Sequence, residues 1–495
     1  MPHFLSQYFQ PGDAHFVLKL NDSTSLTCHQ IVRVVPHKRI VCQAMWNGKS
    51  VYAKLFFGTN AVKYAARDAM GVRWLANANI DTPRLLYQGE SLENHVQVLI
   101  FEAIECLNNS TYKAGSNIEQ VLPTLRQSQR LAIAKKIILE VAKHHNAGLL
   151  QTDLYLKNFL VSKDRIYTLD GDGIRKFNHL NRRKALHNLA LICSKFDVMD
   201  IEKWQTILAE TYSNARGWKS IIQPSLLGNM ANEYRLQAAS NYADHKVFRQ
   251  CSDVNVITAG DLYIAASSDF DAETLINPLT LDTLIQPDNL LKNGHTCTVA
   301  LAEINNKEIV IKRYNIKNFW HAASRAFRPS RAAASWANAH RLNILEIPTA
   351  KPVALIEQRN LKFLFGGIRG KAYFLAEYLN LPDVKHYFVQ AQGKVQRAEA
   401  IKNITIVFYK LFLLQISHGD TKATNIKMQD TQPIFIDLDS MRQHRNVNLA
   451  AHARDLQRFM QNWQDNTSLY NAFVNAFKVT YSNNSVLIKA GIATN

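Results

Sequence analysis

Residues 151–161 read QTDLYLKNFLV, and residues 418–428 read HGDTKATNIKM. In both stretches an Asn follows an Asp by five positions, Asp153 to Asn158 and Asp420 to Asn425. Each stretch leads into an apolar, strand-like run that closes on another Asp. The runs are IYTLDGD, carrying Asp170, and PIFIDLD, carrying Asp437. Asp170 follows Asp153 by 17 residues, and Asp437 follows Asp420 by 17.

Working outward, the repetition continues. Upstream of each loop lies an apolar run containing Lys: VYAKLFF with Lys54, and IVIKRYN with Lys312. Each copy then has a helical stretch that closes on a Thr near a Pro, at Thr82 in IDTPRLL and Thr349 in IPTAKPV. Thr82 to Thr349 and Asp153 to Asp420 are both separated by 267 residues. Four landmarks in one order, at a spacing far longer than a solenoid repeat, predict two domains and not an array.

The coarse layout is also repeated. The first copy opens on a β-rich stretch, IVRVVPHKRIVCQAMWNGKSVYAKLFF, followed by a helix through Arg67 to Ala78 and the strand VQVLIFEAI. The second copy has YFLAEYL in the corresponding place. A long helix precedes each Asp/Asn loop. In the first copy Ser128 is its expected N-cap, Leu131, Ala134, Ile138, Val141 and His145 its buried stripe, and Gly148 its stop. In the second, Ile401, Ile404, Phe408, Leu411 and Leu414 form the matching set. Both stripes read as core faces. Residues 178–271 read as helical in character. The expected division is a first domain over 1–260 and a second over 261–495.

The chain has 495 residues, 47 % of them apolar and 20 % charged, a globular composition that calls for more than one core. Its formal charge of +18 favours an anionic partner. Nucleic acid is not expected, because no recognition motif accompanies the charge. No apolar run approaches a membrane-spanning length. Met1 to His15 has neither a basic nor an apolar leader region, which predicts no secretory signal. Six cysteines, Cys28, Cys42, Cys106, Cys193, Cys251 and Cys297, are scattered without a CxxC pair. They read as reduced, buried thiols of a cytoplasmic protein.

Phosphoryl transfer asks a protein for little covalent chemistry. It needs a metal on the phosphates, a Lys beside them, and a carboxylate facing the attacking hydroxyl. The repeated residues supply those groups. In the second copy Asp420 faces the hydroxyl, Asn425 and Asp437 hold Mg²⁺, Lys312 contacts the α- and β-phosphates of ATP, and Lys422 lies near the transferred group. In the first copy the roles fall to Asp153, Asn158, Asp170 and Lys54.

At these residues the sequence resembles the Kdo/WaaP lipopolysaccharide kinase family, a branch of the protein-kinase-like superfamily. The run IVIKRYN…PTAKPVALIE (309–357) is similar to the family's N-lobe signature. HGDTKATN and PIFIDLDSMR are similar to its catalytic and metal-binding motifs. The second copy resembles the broader family with its InaA-like members. TDLYLKNFLV in the first copy resembles the heptose-kinase branch, in which a Tyr follows the catalytic Asp by two. The resemblance implies an α+β fold of two tandem bilobal domains, each with a β-rich N-lobe and a helical C-lobe. It further implies ATP and Mg²⁺ as cofactors and a hydroxyl of an inner-core sugar as acceptor, on lipopolysaccharide core or a lipid-linked precursor. A peripheral place at the cytoplasmic, anionic face of the inner membrane follows from the resemblance together with the charge. Two other readings stay open: a protein Ser/Thr kinase, for which no activation segment ending in Ala-Pro-Glu is visible, and a non-catalytic pseudokinase scaffold.

The copies depart from the kinase pattern in different places. The strand Lys of such sites pairs with a carboxylate on the next helix. Asp68, fourteen residues before Thr82, fills that place in the first copy; the same count back from Thr349 reaches Ser335. The first copy has Gln151 where the second has His418. Neither has a GxGxxG loop; Pro36-His37-Lys38 and Asn293-Gly294-His295 stand there instead. Because positioning the phosphates is most of the work, the missing partner of Lys312 points to the first copy as the catalyst.

Overall fold

The computed structural model describes residues 10–93, 95–104, 117–162, 165–275, 278–294, 296–314, 330–360, 368–390 and 393–493. The chain forms two compact units, Met1–Tyr234 and Arg235–Asn495. The expected division after residue 260 would cut a β-hairpin, β11 (Val254–Ala259) with β12 (Leu262–Ser267). That hairpin belongs to the sheet of the second unit, so the unit begins earlier. The helical reading of 178–271 therefore holds only for its first part.

The first unit opens on an antiparallel sheet. Its strands are β1 (Gly12–Lys19), β2 (Ser25–Val35), β3 (Arg39–Trp46), β4 (Lys49–Phe56), β5 (Leu85–Glu90) and β6 (Gln97–Glu102). They lie in the order β1-β2-β3-β4-β6-β5. Alternation decides the buried face: Ile40, Cys42 and Ala44 on β3 and Val51, Ala53 and Leu55 on β4 enter one core. The β3–β4 turn is Asn47-Gly48, with φ of 48° and 71°, the left-handed pair that a two-residue hairpin needs. Helix α1 (Ala61–Asn77) follows. Its buried Ala61, Ala65, Asp68, Ala69, Val72 and Leu75 recur at three- and four-residue steps.

The rest of the unit is mainly helical. Helix α2 (Gln127–Asn146) buries Ala134, Ile138, Val141 and His145, while Leu131 is half-buried against the same core. Its N-cap is Arg126, two residues before the expected Ser128, and Gly148 ends it with φ 71°. Four short strands, β7 (Leu149–Gln151), β8 (Phe159–Ser162), β9 (Arg165–Thr168) and β10 (Ile174–Lys176), pair as β7 with β10 and β8 with β9. Helices α3 (Arg182–Cys193) and α4 (Val198–Ala215) close the core, and α5 (Pro224–Asp244) follows.

The second unit has a seven-stranded sheet. Besides β11 and β12 it contains β13 (Leu290–Asn293), β14 (Cys297–Ile304), β15 (Lys307–Tyr314), β16 (Pro352–Asn360) and β17 (Ile368–Glu377). The order is β11-β12-β16-β17-β15-β14-β13. Read from its other edge, β13-β14-β15-β17-β16 repeats the first unit's β2-β3-β4-β6-β5. The β14–β15 turn is again a left-handed pair, Asn305-Asn306, with φ of 54° and 58°. Helix α6 (Arg331–Ile344), capped by Ser330 on the Ala333 N–H, takes the place of α1. Then come α7 (Lys394–Leu413), β18 (Ile416–Ser417), β19 (Ile426–Gln429), β20 (Gln432–Phe435) and β21 (Arg442–Gln443), and finally α8 (Leu449–Gln461) and α9 (Thr467–Thr480). Ile401, Ile404, Phe408, Leu411 and Leu414 are all buried.

Both units are thus α+β, each a sheet followed by a helical part. The cysteines are free among the described residues, but not all are isolated. Cys28 on β2 and Cys42 on β3 bring their Sγ atoms to 3.1 Å. Cys251 is half-buried, and Cys106 lies outside the described residues. His295, at the expected second phosphate loop, also lies outside them.

Candidate active sites

Each unit gathers its candidate residues from the same elements. In the second, Lys312 stands on β15 and is almost fully buried. Its Nζ reaches Asp437 Oδ1, and it lies 3.0 Å from Asp439 Oδ2. Asp439 in turn accepts from Arg331, at the start of α6, at 2.7 Å. Burial alone would strip the Lys312 proton, but Tyr314, Asp437 and Asp439 outweigh that and hold the ammonium charged. Burial likewise pushes the Asp437 carboxyl up, and Lys312 overcomes it, so Asp437 sits below its ordinary value.

Lys312 therefore does have a second carboxylate, contrary to the sequence expectation. It comes from the Asp437-Leu438-Asp439 loop and not from the helix. Ser335 instead shares a hydrogen bond of 2.8 Å with Tyr314 Oη. The DxD pattern was visible in PIFIDLD, but nothing in the sequence told that its second Asp would turn back onto the Lys.

The Asp420 loop is fixed by three groups. His418 is fully buried, and desolvation lowers its pKa, leaving it neutral. Its Nε2 donates to the Ile436 carbonyl at 3.1 Å, and its Nδ1 accepts the Asp420 N–H at 3.3 Å. Asp455 on α8 accepts the His418 and Gly419 N–H groups at 2.6 and 2.9 Å. Burial pushes its carboxyl up to about 6, even against those bonds. Asn425 Nδ2 donates to both the Asp420 carbonyl and its carboxylate at 3.0 Å. The Ile436 N–H donates to the Asn425 carbonyl at 3.0 Å, which lays the Asp420 and Asp437 loops side by side. Lys422 Nζ lies 3.0 Å from Asp420 Oδ2. A cavity of about 500 Å³ opens beside Asp420, lined also by Arg454, Asp455 and Arg458.

In the first unit Lys54 on β4 lies 2.6 Å from Asp68 on α1 and 3.1 Å from Asp170. Arg39 on β3, which the sequence reading missed, joins them. Its Nη1 and Nη2 lie 3.4 and 3.2 Å from the two oxygens of Asp170. Burial would raise Asp170, but Lys54 and Arg39 hold it well below the usual carboxylate range. Asn158 Nδ2 donates to the Asp153 carbonyl at 2.7 Å, as Asn425 does to Asp420. Gln151 Nε2 donates to the Leu169 carbonyl at 3.2 Å, the bond made by His418 in the other unit. Asn188, 267 residues before Asp455, replaces the carboxylate and donates to the Gln151 carbonyl at 2.9 Å. A cavity of about 460 Å³ is lined by Arg39, Lys54, Asn158 and Asp170, with Asp153 outside the lining.

Asp170 and Asp437 both adopt left-handed backbone, φ 67° and 63°. Asp tolerates that conformation better than most residues, and such strain gathers at functional sites. For a divalent cation the two units differ. In the second, Lys312 takes one oxygen of Asp437, and the Asn425 bonds use only its Nδ2. Two oxygen donors remain, which suits Mg²⁺, an ion that keeps several waters. In the first, both oxygens of Asp170 already face cations, so the donor set does not fit. Among the described residues no group of three or more His, Cys, Asp or Glu side chains is placed to hold a metal.

Comparison with solved structures finds WaaP in complex with acyl carrier protein, at 12 % identity and a TM-score of 0.33, covering 46 % of this chain and 94 % of that one. It also finds a cysteine-to-alanine variant of the Mycobacterium tuberculosis PknI kinase domain, at 14 % identity and a TM-score of 0.27, covering 42 % and 95 %. No curated protein matches. Residues 290–481, within the second unit, match the lipopolysaccharide kinase (Kdo/WaaP) family, and through that segment the chain takes its place with this family.

Proposed function

We propose that the second unit is an ATP- and Mg²⁺-dependent kinase that phosphorylates a hydroxyl of a lipopolysaccharide core sugar, heptose or Kdo. The observation that carries the reading is the coincidence of the family match, 290–481, with an Asp420 loop braced by His418, Asn425 and Asp455. In this reading the acceptor oxygen attacks the γ-phosphorus, the bond to the β-phosphate bridging oxygen breaks, and Asp420 receives the hydroxyl proton. Asn425 and Asp437 hold Mg²⁺, which neutralises phosphate charge. Lys312 contacts the α- and β-phosphates and Lys422 the transferred group. The two units are read as tandem kinase-like copies, supported by the shared five-strand order and the paired Asp loops.

The sequence argument for the first unit as catalyst rested on a missing partner for Lys312. Asp439 now supplies that partner. The first unit has Gln151, Asn188 and Arg39 at places where the second has His418, Asp455 and Cys297. We therefore assign transfer to Asp420. The test is phosphate transfer from labelled ATP to core oligosaccharide lacking that phosphate, with Asp420→Asn and Asp153→Asn compared. Asp420→Asn should lower kcat by about 100-fold or more, the scale of a lost general base; Asp153→Asn should leave it near wild type. The opposite pattern would return catalysis to the first unit.

A further inference from the structure

We propose that the first unit binds a nucleoside di- or triphosphate without a divalent metal, the Arg39 guanidinium standing in for the cation. The argument begins with charge. Arg39, Lys54, Asp68 and Asp170 form a buried quartet with two positive and two negative groups, none more than 14 % exposed. Arg39 spans both oxygens of Asp170 and also lies 3.5 Å from Asp68. A divalent ion on Asp170 would bring two more charges against two cations already in place. It would also have to displace a buried guanidinium from its carboxylates, and leaving such a charge unpaired is costly. The quartet is neutral as it stands.

The strand register shows that this is a difference between the units. Lys54 pairs with Val41 across β3–β4, and Lys312 pairs with Val299 across β14–β15. Two residues earlier, Arg39 faces Phe56, and Cys297 faces Tyr314. The second unit thus has a neutral thiol where the first has Arg39. Both units keep the strand Lys and the left-handed Asp, but only the first adds a fixed cation.

The cavity fits the same reading. At about 460 Å³ it falls within the range of small-ligand sites. Val41, Phe101, Leu160 and Leu169 offer an apolar wall for a base, and Arg39 and Lys54 lie among its polar lining. A guanidinium and an ammonium together match a polyphosphate in charge and hydrogen-bonding geometry. Asp153 is not part of the lining, so the site suits holding a nucleotide better than transferring its phosphate.

The experiment is equilibrium binding of ATP and ADP to the full chain carrying Lys312→Ala, which removes the second unit's phosphate contact. Calorimetric titration is run in excess EDTA and in millimolar Mg²⁺. One nucleotide per chain should bind in EDTA, with a Kd within about threefold of that in Mg²⁺. Arg39→Cys, which installs the second unit's residue, should weaken binding in EDTA by about tenfold or more and make it depend on Mg²⁺. Arg39→Lys should retain most of the affinity. Arg39→Gln reads the same loss should the cysteine variant fail to fold. Binding that requires Mg²⁺ in the parent chain, or that ignores Arg39→Cys and Arg39→Gln, overturns the proposal. The readout is binding, so it stands or falls apart from whether Asp420 transfers phosphate.

Discussion

At the scale of single residues, Asp439 decides how the second site is read. Lys312 is buried, and a buried ammonium needs carboxylates to stay charged. Asp437 is one; in the proposed mechanism it is shared with the metal. Asp439 is the other, and Arg331 fixes it from the far side. Asp439→Asn should therefore lower kcat/KM for ATP by about tenfold, chiefly through KM, because Lys312 loses the group that aims it. Ser335 touches Tyr314, whose ring lies 5.1 Å from Lys312 Nζ. Adding Ser335→Asp to Asp439→Asn should restore part of the loss. Asp439→Asn that leaves KM for ATP unchanged, or a double variant no better than the single, would show that Asp439 does not position the Lys. The Lys, Asn and Asp positions were legible in the sequence because they recur at fixed spacing. Asp439 and Arg39 were not, because their roles depend on which way a loop and a strand turn them.

Asp455 carries a second prediction at this scale. Its carboxyl is raised from an ordinary 3.8 to about 6, mainly by burial. The folded state thus holds that proton more tightly than the unfolded chain. Its contribution to stability is complete below pH 3.8 and is lost as pH rises through 6. Asn at this position does not titrate. The stability of the parent chain relative to Asp455→Asn should therefore fall by roughly 3 kcal/mol between about pH 3.5 and pH 8. Denaturant titrations of both proteins at those two pH values measure it. A difference that stays constant with pH would mean the carboxylate is solvated well enough to keep an ordinary pKa.

At the scale of elements, the two units solve one packing problem in different ways. In the first, α1 lies against the Asp170-Gly171-Asp172 turn. A Cβ on Gly71 would fall 2.0 Å from the Gly171 carbonyl oxygen, and one on Gly171 would fall 2.2 Å from the Asp68 carbonyl oxygen. Backbone meets backbone there, so neither side can yield by rotating a side chain. In the second, the positions 267 residues later are Asn338 and Leu438. Asn338 Nδ2 spans the gap, donating to the Leu438 and Met441 carbonyls at 2.8 and 3.0 Å. Gly71→Ala should cost on the order of 3 kcal/mol and loosen the Lys54–Asp68 pair. An unchanged unfolding midpoint would rule out so close a contact. The strands and turns of these sheets were legible from alternation and from Asn-Gly. The β11–β12 hairpin was not, because β12 is buried along its whole length and shows no polar alternation.

At the scale of the whole molecule, the proposed acceptor lies on a membrane, yet no described helix is long and apolar enough to cross one. A formal charge of +18 offers a different means of attachment. Each basic residue close to an anionic surface contributes about 1 kcal/mol, and the attraction fades within a Debye length, about 10 Å at 0.1 M salt. A few such residues acting together hold a protein at low salt and release it at high salt. Insertion of an apolar segment would behave otherwise, since burial of apolar surface is not weakened by screening. The chain should therefore float with vesicles containing phosphatidylglycerol at low ionic strength and remain behind with vesicles of phosphatidylcholine alone. Raising NaCl to about 0.5 M should remove most of the bound protein. Equal binding to neutral vesicles, or binding that ignores salt, would exclude charge as the anchor and direct attention to apolar contacts instead.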